Sequence, residues 1–450
     1  MRKSNCVPRT TSSMSNPHYS QGMTNIKNLS LISGLFYILI VAGTFVLLVY
    51  LGEMEFYNIE FNGAKHLYPV VPLAVLSAIP LITMPEEIKS PSDLIIWSVY
   101  MLMYVPSIVT SPYVISSNGH TLLIISILTF CMIFLGGNLF PQLVVRPRPS
   151  VSGNVFWIFI LLIGFFIAFT TVLSLDYSPG IPTSTQEIYQ LRTAYSATIS
   201  ELSPIQYNIV HRGVFSLNYV VLPTILIYSL ITKKKAYLLL SLLGWLCIFI
   251  FLGLQAALLI PLMIICLFLI LSYFSYVVPF VVIGVLLGAI FSLILYMMGN
   301  SWFLHSYRRI IFVPPIAANY YFEFFYMNDK IYLLGNTLGY YPYEQNHLYL
   351  VSEQFDPGAS ATGNPWGVGY ARFGIIGIIL FTILLKILLT IIDSLSQDID
   401  SNQSILLIAA FTFPITNSGL LTVLTFHGMA LIIVVLYLLP WRTYEYKLSD

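Results

Sequence analysis

The chain has 450 residues, 57% of them hydrophobic and only 9% charged, with a mean hydropathy of +0.83, whereas a soluble domain carries about 25% charged residues. A soluble enzyme, a disulfide scaffold and a disordered tail are excluded, and without period-two alternation an outer-membrane barrel is disfavoured as well. The formal net charge of +1 carries no message as a sum, because in a membrane chain the placement of charge matters.

Residues 1–29 are polar and carry Arg2, Lys3, Arg9 and Lys27 without the apolar centre and small-residue cleavage site of a signal peptide, so they read as a cytoplasmic tail. Apolar runs long enough to cross a bilayer then recur near 30–51, 68–84, 93–110, 121–142, 155–175, 213–232, 236–254, 256–273, 277–299, 371–392, 404–420 and 422–440. The expectation is an all-α integral membrane protein of about twelve spans, with a membrane domain at 30–440 and a second short tail at 441–450. Lys89, Arg146, Arg148, Lys233, Lys234, Lys235, Arg442 and Lys447 share the side of the basic first tail. By the positive-inside rule that side is cytoplasm. Cys131, Cys247 and Cys266 fall inside apolar runs and Cys6 in the tail, which implies neither a disulfide nor a metal site.

Two loops on the other side are long, 176–212 and 300–370. In the first, Ser184 and Glu187 form a capping-box pattern, and Ile188, Leu191, Tyr195, Ile199 and Leu202 recur at helical spacing until Ser203 and Pro204 stop the run. Arg192 projects from the flank of that apolar face. The second loop holds Trp302, Tyr320, Tyr321, Phe322, Phe324, Phe325, Tyr326, Tyr340 and Tyr341, too aromatic for disorder, and is expected to fold onto the membrane surface. Gly358, Gly363, Gly367, Gly369, Gly374 and Gly377 lead out of it. Gly374 and Gly377 lie three apart on what reads as one packing face, and no GKS or GKT follows to make a phosphate-cradling loop.

Within the spans almost nothing ionises, the exceptions being Lys386 near the inner end of the tenth, His120 at the mouth of the fourth and His427 in the twelfth, which argues against ion-coupled transport. Outside them Arg192, Arg212, Arg308, Arg309 and Arg372 gather near the outer ends of spans. A guanidinium stays charged and grips phosphate oxygens with two parallel bonds, so these five are candidates to hold a lipid diphosphate. Tyr320 and Tyr321 are candidates to contact a glycan. For a general base the candidates are His347, then Glu344 and Glu353, because an imidazole with an unperturbed pKa near 6.5 suits proton transfer.

The stretch Arg308-Arg309-Ile-Ile-Phe-Val-Pro-Pro-Ile-Ala-Ala-Asn-Tyr-Tyr-Phe-Glu-Phe-Phe resembles the large outer loop of Wzy-type O-antigen polymerases. Gly367-Val-Gly-Tyr-Ala-Arg-Phe-Gly-Ile-Ile-Gly is similar to that family's Gly-Tyr-Ala-x-x-Gly segment, and Tyr189-Gln-Leu-Arg192 to part of its earlier loop. The resemblance implies a fold similar to GT-C-like lipid-linked oligosaccharide polymerases and ligases, in the bacterial inner membrane with both termini cytoplasmic. It implies transfer of a growing glycan from undecaprenyl diphosphate to a new lipid-linked repeat unit at the periplasmic face, without a nucleotide sugar or metal cofactor. The functional arginines carry over to Arg192, Arg308, Arg309 and Arg372. Implied partners are the lipid-linked oligosaccharide, membrane lipid, a chain-length regulator and a flippase; nucleic acid is not among them. The alternatives are an O-antigen ligase, whose histidine and glycine spacing His347 and Gly358 share, and a flippase or other transporter, whose broken-helix repeats are not visible in the two halves.

Overall fold

The computed structural model describes residues 17–59, 70–137, 152–175, 180–182, 185–274, 276–333, 341–354 and 361–439, and among these it contains helices and turns but no strand. In chain order the first ten helices are α1 (Pro17–Tyr50), α2 (Val70–Ser77), α3 (Pro91–Val114), α4 (Asn118–Gly136), α5 (Gly153–Leu173), α6 (Thr185–Glu201), α7 (Pro204–Thr232), α8 (Lys235–Leu252), α9 (Ala256–Tyr273) and α10 (Val277–Met297). Then come α11 (Trp302–Ile311), α12 (Val313–Met327), α13 (His347–Ser352), α14 (Pro365–Phe373) and α15 (Ile375–Ser396). Four short helices close the series: α16 (Ser401–Ala409), α17 (Thr412–Asn417), α18 (Leu420–Thr425) and α19 (Met429–Leu438).

Among the described residues nine helices are long and apolar enough to cross a membrane: α1, α3, α4, α5, α7, α8, α9, α10 and α15. The other three apolar runs are interrupted, so the count of twelve continuous spans is not what forms. The run near 68–84 becomes α2 plus a 3₁₀ turn at Ile79–Ile82 that contains Pro80. The run near 404–420 splits into α16 and α17, where Pro414 has no N–H to offer the carbonyl of Ala410. The last run breaks between α18 and α19 at Gly428, whose φ of +84° only glycine adopts cheaply.

Helix α3 runs through the middle of the bundle. Its apolar window is 89% buried, against 22% for α5 and for α8, which present their leucine and phenylalanine faces outward as lipid-facing helices do. At one end of α3 a capping box joins Ser90 and Asp93, and the Ser92 backbone N–H donates to Asp393 of α15 at 3.0 Å. Lys386 is buried beside this corner and donates to the Leu135 carbonyl at 2.7 Å.

The largest departure from the sequence reading is the 300–370 segment. Its aromatic content predicts a cap on the membrane surface; instead two of its helical stretches turn back between the spans. Helix α11 retraces α10, with the Phe303 carbonyl accepting from Ser292 at 3.3 Å and Tyr307 near Gly288. Helix α12 then climbs beside α3, where Asn319 donates to the Ser107 carbonyl at 3.0 Å and to Thr110 Oγ1 at 2.9 Å, while Glu323 accepts from the Ser116 N–H at 3.2 Å. Residues 319 to 323 therefore track 107 to 116, and the tip at fully buried Phe312 lies against Phe45 with ring centroids 5.6 Å apart. The physical reason is that α12 carries, besides three tyrosines, only Asn319 and Glu323 as polar side chains, and a re-entrant helix satisfies its own backbone wherever protein surrounds it.

The second half re-enters too. Trp366 of α14 donates to Thr382 at 3.0 Å, seven residues below the start of α15, a depth of about 10 Å. The expected pairing of Gly374 with Gly377 on one helix face is corrected here. Gly374, at φ +63°, is the hinge between α14 and α15, and the close approach is between Gly369 and Gly377: a Cβ on Gly369 would lie 2.7 Å from the Gly377 carbonyl oxygen. Gly377→Ala should lower the melting temperature of the detergent-purified protein by an amount equivalent to about 1 to 3 kcal/mol, since overpacking forces the hairpin apart. Gly284→Ala, where a Cβ meets nothing within 4 Å, should leave it unchanged or slightly raised.

Helix α6 forms over the segment the periodicity marks out, with Ile188, Tyr195 and Ile199 buried; its capping candidate Ser184 lies outside the described residues. Ser203 and Pro204 both end α6 and open α7, through a capping box with Gln206. The sixth span thus starts at 204 instead of 213, and Arg212 belongs to a helix and not to a loop.

Candidate functional site

His347 opens α13 just after Asn346, whose side chain caps the helix by accepting from the Leu348 N–H at 3.1 Å. Its ring meets Tyr321 of α12 edge to face at 6.1 Å. Tyr321 is fully buried and donates to the Ala361 carbonyl at 3.0 Å. Arg372 of α14 closes the group: Nη1 donates to the Leu333 carbonyl at 2.9 Å, and Nε is buried with no hydrogen-bond partner among the described residues. Burial, then the charge of Arg372, pulls the His347 imidazole down to about 4, so the ring is neutral at physiological pH. Glu344 and Glu353 are exposed, and neither carboxylate makes a hydrogen bond or ion pair among the described residues.

On the other flank of α14, His120 at the start of α4 is 3% exposed and shares a 3.1 Å hydrogen bond with the Tyr370 hydroxyl, while its ring stacks on Tyr326 at 3.9 Å. Lys330 lies 5.3 Å from the Tyr370 ring and caps α12 by donating to the carbonyls of Phe325 and Asn328. Burial lowers the Lys330 ammonium from its ordinary range.

Arg308 and Arg309 part company. Arg308 is 5% exposed. Its Nη1 donates to the Glu53 carboxylate at 3.1 Å and to the Glu53 backbone carbonyl, its Nη2 donates to His305 Nδ1 at 2.8 Å, and its guanidinium lies 5.5 Å from the Tyr57 ring. Its Nε has no hydrogen-bond partner among the described residues. Arg309 is exposed, turned about 100° around α11 from its neighbour. Tyr320 belongs with Arg308, since its hydroxyl donates to the Tyr57 carbonyl at 2.7 Å. The turn that carries Tyr57 also reaches the turn that follows α13, where Asn58 donates to the Gln354 carbonyl at 2.6 Å.

Arg192 and Arg212 form a separate group. Arg192 Nε donates to the Gly253 carbonyl at 2.9 Å, so this cation clamps α6 onto the end of α8. Arg212 lies over the Phe426 ring at 4.5 Å, next to His211, which stacks on Tyr207 at 5.1 Å. His427, between α18 and α19, shares a 3.2 Å hydrogen bond with Ser418, and the neighbouring Asn417 accepts from Thr362 at 3.3 Å. That contact ties the Arg212 group to the segment leading into α14.

The structure thus brings His347, Tyr321 and Arg372 together, joins Tyr320 to Arg308, and leaves Arg309, Arg192 and Arg212 apart from them. Gly358 and Tyr340 lie outside the described residues. Sequence reasoning missed Glu53, His305, Tyr370 and His211. The one available signal was the three-residue spacing of His305 and Arg308, which puts both on one helical face. No protein-family model matches the chain, and neither characterised proteins nor solved structures give a match.

Proposed function

We propose that the chain is a polymerase of a bacterial surface polysaccharide, an inner-membrane glycosyltransferase with both termini cytoplasmic that moves a growing glycan from undecaprenyl diphosphate to a new lipid-linked repeat unit. The observation that carries the reading is Arg372, a half-buried cation whose Nε has no partner among the described residues, set beside neutral His347 at the mouth of two re-entrant helices. The sequence resemblance of both stretches adds to it.

In this scheme the diphosphate of the donor lies against Arg372, with Lys330 on the far flank of α14, and the acceptor hydroxyl points at His347. The new bond joins the acceptor oxygen to the anomeric carbon, the bond from that carbon to the diphosphate oxygen breaks, and the hydroxyl proton passes to the imidazole. A base at pKa about 4 is weak. An arriving diphosphate offsets the Arg372 charge that helps hold the imidazole down, so the base strengthens when the donor is bound. Arg309 is assigned to carrier-lipid contact at the neighbouring hairpin, and Arg308, buried against Glu53 and His305, holds the helix that carries it.

The test gives purified protein a lipid-diphosphate-linked repeat unit with EDTA present and follows chain length on a gel. A ladder of products from the wild type supports the reading. Transfer only to a lipid A core acceptor makes the protein a ligase, and movement of lipid-linked sugar across a vesicle bilayer without transfer makes it a flippase.

A further inference from the structure

At the end of α8 remote from Gly253, the turn between α7 and α8 carries Lys233, Lys234 and Lys235 on an aromatic base. Lys234 donates to the Tyr228 hydroxyl at 3.1 Å, and its ammonium lies 5.3 Å from the Tyr228 ring and 5.8 Å from the Tyr237 ring. Trp157 of α5 packs on Tyr228 at 4.2 Å, which places a tryptophan and two tyrosines at one level, as membrane interfaces arrange them. Lys233 and Lys235 are exposed and make no hydrogen bond or ion pair among the described residues. No acidic residue stands in the first turn of α8. Three like charges on consecutive residues repel one another, and the described surroundings of Lys233 and Lys235 offer them no counter-charge.

The position of Lys233 is also informative. It holds φ +56°, where glycine would relieve the backbone, so the turn keeps a lysine at a place that disfavours any side chain. We infer that this turn is a binding site for the headgroup of an anionic phospholipid in the leaflet on its side of the membrane. The phosphate lies between Lys233 and Lys235, Lys234 is the fixed member held by its aromatic base, and the acyl chains run down the lipid-facing sides of α5 and α8. The inference is independent of the proposed glycosyl transfer, and it concerns the opposite end of the bundle from His347.

The test titrates phosphatidylglycerol or phosphatidylcholine into detergent-solubilised protein and reads bound lipid by native mass spectrometry and the melting temperature. Phosphatidylglycerol should bind and raise the melting temperature where phosphatidylcholine does not. The variant Lys233→Gly with Lys235→Gln should bind it about 30-fold more weakly, two surface cations being lost, while its melting temperature without lipid stays equal or rises because the strained turn is relieved. Lys233→Arg with Lys235→Arg should retain binding. Unchanged phosphatidylglycerol binding in the glycine–glutamine variant overturns the inference. So does an equal shift produced by soluble glycerol 3-phosphate, which would make the turn a general anion site, or by phosphatidylcholine.

Discussion

Arg308→Ala should destabilise the protein by about 1.5 to 3 kcal/mol, the loss of charge-assisted hydrogen bonds from a buried guanidinium to a carboxylate that is itself only partly buried. Glu53 loses both the guanidinium that faces its carboxylate and the donor to its backbone carbonyl. His305 loses the N–H that its Nδ1 accepts. Arg308→Lys keeps the charge but cannot reach Glu53 and His305 with one planar fork, so it should recover only part of the loss. Replacing both members, Arg308→Met with Glu53→Leu, should come back close to the wild type, because two apolar side chains leave no orphaned charge. Arg309→Ala, at an exposed position of the same helix, should change stability by no more than about 0.5 kcal/mol. Thermal melts in one detergent, with expression compared by blot, check the series. The same variants separate two roles that adjacent arginines in sequence conflate: loss of polymer from Arg309→Ala at an unchanged melting temperature assigns carrier-lipid contact to Arg309, whereas loss from Arg308→Ala alone reports the collapse of the hairpin. An Arg308→Ala protein that melts as the wild type does would overturn the buried-pair account.

Why α6 could be read in advance and α12 could not follows from which interactions decide each. Helix α6 carries its signal locally, in the 3.6-residue recurrence of Ile188, Tyr195 and Ile199, and these three are buried in the fold. Helix α12 is a 15-residue segment opening Val-Pro-Pro, too short to span and punctuated like a loop; what draws it into the bundle is Asn319, bonded to residues more than 200 positions away. Arg308 is decided at still longer range, by Glu53, 255 residues earlier. Spacing on α11 says that Arg308 and Arg309 point differently but not which one finds a carboxylate. The interrupted runs near 404–420 and 422–440 show the same division. Pro414 and Gly428 are breakers visible in the sequence, but mean hydropathy over a window counts neither the missing N–H nor the positive φ. His347 was legible as a residue type and Arg372 as a cation, while their adjacency depends on α12 and α14 lying side by side, with Gly367 against Ala318.

That adjacency makes the reaction testable by pH as well as by mutation. His347 is pulled down to about 4 in the fold, by burial first and Arg372 second, whereas an exposed histidine titrates near 6.5. The unfolded chain therefore binds a proton between those values that the folded chain refuses, so stability is present above about pH 6.5 and falls as the pH drops toward 4, by about 3 kcal/mol at most. His347→Gln should flatten that window, which a pH series of melting temperatures reads directly. Arg372→Ala removes the second cause and leaves the first, so the imidazole should titrate higher than in the wild type while remaining below 6.5. In the polymer assay the two substitutions act on different parts of the step. His347→Ala removes the proton acceptor and should slow transfer about 10²- to 10⁴-fold, and Arg372→Ala removes a preorganised donor to the departing diphosphate and should cost about 10²- to 10³-fold. Arg372→Lys should fall between, with charge but no fork. If the scheme holds, the wild-type imidazole also titrates higher when a short-chain prenyl diphosphate is bound, and ¹⁵N-histidine NMR across pH would follow it. A full ladder of long chains from the doubly substituted protein, His347→Ala with Arg372→Ala, at normal abundance would remove both residues from the chemistry.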